Sequence, residues 1–64
     1  MDILIEKDNF YCLKPASKDE YGKELLSLID NGFRVYNKCS HFLELTDGKT
    51  TVNLLIPKEK EVQL

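Results

Sequence analysis

The residues most able to do chemistry cluster in one short run, Lys38-Cys39-Ser40-His41, which holds the sole histidine of the 64-residue chain. A histidine titrating near pH ~6.5 can take or give a proton at neutral pH, so His41 is the candidate general acid or base. Cys39 and His41 are two residues apart. On an extended strand that spacing separates them by ~7 Å, too far for a nucleophile–base hydrogen bond without a bend. Cys12, Cys39 and His41 supply three possible zinc ligands, but there is no Cys-x-x-Cys pair and no evident fourth ligand. No metal site and no cofactor are expected, and both thiols read as small buried hydrophobes. The carboxylates form no recurring pair in an apolar setting, and the three glycines are isolated, so no phosphate-binding loop is present. Strict strand alternation would place His41 with Leu43 and Leu45, where a histidine is more often half-buried and structural. A turn at Cys39-Ser40 that upset the alternation would expose it instead.

The elements that must position these residues fit in one domain, since 64 residues make no more than one. A chain this short buries only ~60% of the surface it exposes when unfolded, which leaves little room for a deep, dry active site. The net charge is −2 and Arg34 is the single arginine. The lysines are scattered among carboxylates, without the concentrated basic face that phosphate binding uses. Met1-Asp2-Ile3-Leu4-Ile5-Glu6 lacks the pattern of a signal peptide, and no apolar run approaches the ~20 residues that span a bilayer. A cytoplasmic protein with reduced thiols and no membrane contact is therefore expected.

Ile3–Glu6 and Phe10–Leu13 are β-prone runs split by Lys7-Asp8-Asn9, which predicts a hairpin over residues 1–14. Pro15 ends the second strand. Ser17 with Glu20 makes a capping box, Tyr21, Leu25, Leu28 and Ile29 form an amphipathic stripe, and Asn31-Gly32 supplies a left-handed stop. These mark a helix over residues 17–31. Gly22 inside it either marks close packing or is simply tolerated at a cost of ~1 kcal/mol relative to alanine. Three strands follow over residues 33–56, with Asp47-Gly48 as a two-residue hairpin turn and Pro57 ending the sheet. Residues 58–64 read as a charged tail. The expected architecture is α+β, in the order β-β-α-β-β-β, with one helix packed on one face of an antiparallel sheet in a single domain over residues 1–57.

A lone helix shields one face of such a sheet. Alternation places Arg34, Tyr36, Lys38, Phe42 and Glu44 on the other, together with Tyr11 or Leu4. Aromatic and charged residues mixed in this way are what interfaces favour, although an ordinary solvated sheet face has a similar look. The leading expectation is a small non-catalytic binding module, a regulator or inhibitor that engages another protein or associates with itself. It would use the open sheet face or an edge strand, with Tyr36 and Phe42 as anchors and Arg34, Lys38 and Glu44 around them.

From Gly22 through Gly32-Phe33-Arg34-Val35 the chain resembles the core of the HicA-type toxin family. Lys38-Cys39-Ser40-His41 falls where that family carries lysine-glycine-serine-histidine, and Asp47-Gly48, Val52 and Ile56-Pro57 resemble its second hairpin and the proline after its third strand. The resemblance covers residues 22–57. It implies a double-stranded-RNA-binding-domain-like fold, messenger-RNA cleavage without metal, silencing by a HicB-type antitoxin, and a catalytic role for His41. Cys39 stands in place of the motif's glycine, the third strand is longer, the hairpin over residues 1–14 is additional, and no room remains for the family's second helix.

Overall fold

The computed structural model describes residues 1–58. Its elements are β1 (Asp2–Lys7), β2 (Phe10–Lys14), α1 (Lys18–Asp30), β3 (Arg34–Lys38), β4 (Phe42–Thr46) and β5 (Thr51–Leu55). The α+β class and the β-β-α-β-β-β order are those expected. The strands form one sheet in the spatial order β1-β2-β5-β4-β3. Three of its pairings are antiparallel, but β2 and β5 run parallel. The chain itself imposes this departure from an all-antiparallel sheet. The helix carries the chain back to the end where β2 began, and a three-strand meander finishes in the direction it started. The part of the expected charged tail that lies beyond Lys58 falls outside the described residues.

Local chemistry fixes each element. Ser17 caps α1 by accepting a hydrogen bond from the Glu20 amide at 3.1 Å. The reciprocal arm of the capping box lands one residue earlier than expected. Glu20 accepts from the Ala16 amide at 2.6 Å and from the Met1 ammonium at 3.3 Å. The Ala16 amide first, and then that ammonium, hold the Glu20 carboxyl below its ordinary range. At the other end Phe33 N–H donates to Leu28 C=O and Gly32 N–H to Ile29 C=O, with Gly32 at φ +95°. This is the Schellman closure, and it draws Phe33 against the core beside Leu28. The β4–β5 connection is a four-residue loop rather than the two-residue turn expected. Only Gly48 is left-handed there, and the Asp47 carboxylate accepts from the amides of Thr50 and Lys49. Those bonds, the Thr50 one foremost, lower its pKa.

The core is one layer deep. Tyr11 and Leu13 of β2, Val52 and Leu54 of β5, and Leu43 and Leu45 of β4 share a face in register. Leu28, Leu25 and Tyr21 of α1 close over them with Phe33. Tyr11 thus belongs to the helix side and not to the open face. Ile29, expected in the buried stripe, is exposed, as is Leu26. A helix is about 10 Å across, whereas five strands ~4.8 Å apart span ~19 Å between outer axes. One helix therefore covers the three inner strands, and every residue of β1 and β3 is exposed. Among the described residues no helix is long and apolar enough to cross a membrane.

A Cβ added at Gly22 would meet no atom within 4 Å. That identifies the glycine as tolerated rather than required for packing. Gly22→Ala is expected to raise the unfolding free energy by about 0.5–1 kcal/mol. Chemical denaturation reads the change directly, and a loss of stability would contradict it.

Candidate functional site: the open sheet face

The face opposite α1 is organised by the same register. One row runs Phe10 (β2), Thr51 (β5), Thr46 (β4) and Arg34 (β3). The next runs Ile5 (β1), Cys12, Asn53, Glu44 and Asn37. Phe42 and Leu55 pair at the far end. No helix or strand of the described chain lies over these side chains, yet Phe10, Phe42, Glu44, Asn53 and Leu55 are only half exposed and Cys12 is buried.

A bulge in β3 alters the set predicted from alternation. Val35 pairs with Leu45 and Asn37 with Glu44, which leaves Tyr36 as the extra residue between them. Phe42 and Glu44 therefore share the open face as expected, whereas Arg34, on that face by register, turns its guanidinium to the end of α1, donating to Phe33 C=O at 2.8 Å and Ile29 C=O at 3.3 Å. Tyr36 sits in the bulge at the sheet's edge, 56% exposed. Lys38 pairs with Leu43 and so takes the helix side of the sheet. Asn37 occupies the position that simple alternation assigns to a neighbour, and its Nδ2 donates to Glu44 Oε1 at 2.7 Å. Alternation alone carries no signal for a bulge, so Asn37 was not legible as a member of this face. Leu4 likewise falls in a bulge, between Ile3 and Ile5.

Asn53 is, like Asn37, a member of this face that alternation did not mark. It lies on the central strand between Cys12 and Glu44, and its Oδ1 is buried without a hydrogen-bond partner among the described residues. Leaving a buried carbonyl oxygen unpaired costs ~1–3 kcal/mol.

The chemistry-bearing run takes a different place. His41 precedes β4 and is exposed, as is Cys39. The half-buried position that strict alternation gave His41 is not adopted, because residues 39–41 form the β3–β4 connection. The contact between the two residues is the His41 backbone N–H donating to Cys39 Sγ at 3.4 Å, and it does not involve the imidazole. Cys39 is thus not the buried hydrophobe expected, whereas Cys12 is buried. His41 lines a groove of about 360 Å³ with Lys14, Pro15, Leu55, Pro57 and Lys58. Cys12 stands in mid-strand on the open face. Among the described residues, no three His, Cys, Asp or Glu side chains gather as a metal ligand set.

No family model, no curated protein and no solved structure matches this chain.

Replacing Asn53 with valine removes the unpaired carbonyl and puts a β-favouring side chain in the same strand. Asn53→Val is expected to stabilise the free chain by about 1 kcal/mol in urea denaturation. Clear destabilisation would mean that the amide has a partner in solution.

Proposed function

We propose that this chain is a small non-catalytic protein-binding module that acts in the cytosol by docking its open sheet face on a partner protein. The observation that carries the reading is a face, uncovered by the described chain, that combines apolar anchors with one buried polar atom still lacking a partner. Phe42 and Leu55 lie together at one end, the Asn37–Glu44 pair lies along one side, and Asn53 Oδ1 at the centre has no partner among the described residues. Aromatic side chains such as Phe42 are among the commonest anchors of protein interfaces. An unpaired central acceptor lowers the stability of the free chain, so its presence fits a role in binding better than one in folding.

The test uses tagged protein to isolate the partner and then compares Phe42→Asp with the parent chain against that purified partner. The substitution should weaken the complex about 30-fold or more, the scale of losing one anchor. The thermal transition should stay nearly unchanged. Unaltered affinity, or collapse of the fold, would remove the reading.

A second reading, a metal-independent ribonuclease resembling the HicA-type toxins, draws support from the His41 groove. An exposed imidazole beside Lys14 and Lys58 is suited to a phosphodiester: the cations attract the phosphate while the imidazole moves the 2′-hydroxyl proton. Expression of the chain alone tests it. This reading requires growth arrest with RNA cleavage that His41→Ala relieves. Normal growth with intact RNA, or arrest that persists in the variant, eliminates it.

A further inference from the structure

We infer that the outer edge of β1 is a self-pairing edge, which joins two copies of this chain about a two-fold axis with Asp2 of each copy opposite Lys7 of the other. β1 reads Asp2-Ile3-Leu4-Ile5-Glu6-Lys7 and terminates the sheet. Ile3, Leu4 and Ile5 are 57%, 52% and 46% exposed. Such an edge presents free backbone donors and acceptors beside apolar side chains, which makes it a template for another strand.

The bulge determines which strand fits. Through their β2 partners, Asp2, Ile5 and Lys7 belong to the open face, and Ile3 and Glu6 to the helix face. Directly opposed residues in an antiparallel pair must project to the same side of the sheet. An unbulged strand cannot satisfy this on both sides of Leu4, because the bulge puts the two halves of β1 out of phase. A second copy carries the same offset. With Asp2 opposite Lys7, the remaining pairs are Ile3 with Glu6 and Leu4 with Ile5, and the faces agree at both ends. Shifting the copies by one residue in either direction sets open-face residues against helix-face ones, Asp2 against Glu6 or Ile3 against Lys7. The matched register engages all six residues, places the aliphatic side chains at its centre and closes each end with opposite charges.

The other edge does not offer this. β3 reads Arg34-Val35-Tyr36-Asn37-Lys38; centring it on itself sets Arg34 against Lys38 from opposite faces, and its face-matched registers, Arg34 with Asn37 or Val35 with Lys38, engage only four residues and join no opposite charges. Joining β1 of one copy to β3 of the next aligns the faces in two long registers. One sets Lys7 against Arg34; the other sets Asp2 against Asn37 and Ile5 against Arg34. Neither joins opposite charges. Charge and phase together select β1 with β1, and the resulting ten-stranded sheet leaves both copies' open faces clear. This pairing is independent of what binds those faces.

Two measurements on the folded protein test it. Sedimentation across a concentration series should show a monomer–dimer equilibrium. Asp2→Lys and Lys7→Asp should each raise the dimer Kd about tenfold, since each makes both symmetric end pairs repulsive. An equimolar mixture of the two variants should form a heterodimer of parental affinity, because each supplies the charge that the other needs. The second measurement uses the unaltered chain, so it stands even if a variant fails to fold. Asp2 and Lys7 lie ~17 Å apart along one strand, so a zero-length carbodiimide bond between them can form only between copies. An Asp2–Lys7 cross-linked peptide in the dimer band is the predicted product. A chain that stays monomeric throughout, or a dimer without that cross-link and indifferent to the charge swaps, overturns the inference.

Discussion

Leu28 of α1 shares one cluster with Leu13, Leu54 and Leu43, the side chains that lie abreast on β2, β5 and β4. Tyr11, Val52 and Leu45 form a second row beside them. This seam between one narrow helix and three strands is the apolar layer that the described chain possesses, and the rest of the molecule is arranged around its width. The Schellman closure at Gly32 and the cap at Ser17 fix where the helix starts and stops, and so where Leu28 and Tyr21 stand over the sheet. The parallel β2–β5 pairing brings the N-terminal hairpin under the same helix. The backbone helps to hold it there, with Thr51 N–H donating to Asn9 C=O at 2.8 Å.

Two kinds of surface follow from that width. Edge strands that the helix cannot reach are exposed on every residue, so β1 keeps its aliphatic run in solvent. The outward side of the inner strands is close-set by its own neighbours but has no described element stacked on it. Phe42, Leu55 and Asn53 are half-buried there within the plane of the sheet. The described residues supply no second layer over this face. Binding another protein covers such a surface without enlarging the chain, which is the physical logic behind the proposed function.

Much of the fold was legible because its signals are local. The Ser17–Glu20 cap, the Tyr21/Leu25/Leu28 stripe, the Asn31-Gly32 stop and the alternation in β4 and β5 each depend on a few neighbouring side chains. What escaped depends on pairing. The parallel β2–β5 contact arises from the direction in which a whole meander ends, and the bulges at Leu4 and Tyr36 arise between strands. Each bulge moves side chains to the other face without leaving a mark on alternation. For that reason Phe42 and Glu44 came together as expected, while Lys38 crossed to the helix side and Asn37 took a place beside Glu44. Arg34 turned its guanidinium to the end of α1. His41 was misplaced for a related reason: residues 39–41 connect two strands, and alternation does not extend into a connection.

The central claim is that a single helix leaves the Phe42 side of the sheet open to solvent while sealing the Leu54 side. Side-chain NMR in the presence of a soluble paramagnetic agent measures this directly. The account predicts strong relaxation enhancement at Phe42, Leu55 and Thr46, with Leu54, Leu45 and Val52 spared. Phe42 and Leu55 as well protected as Leu54 would contradict it, since that face would then already be covered in the free protein.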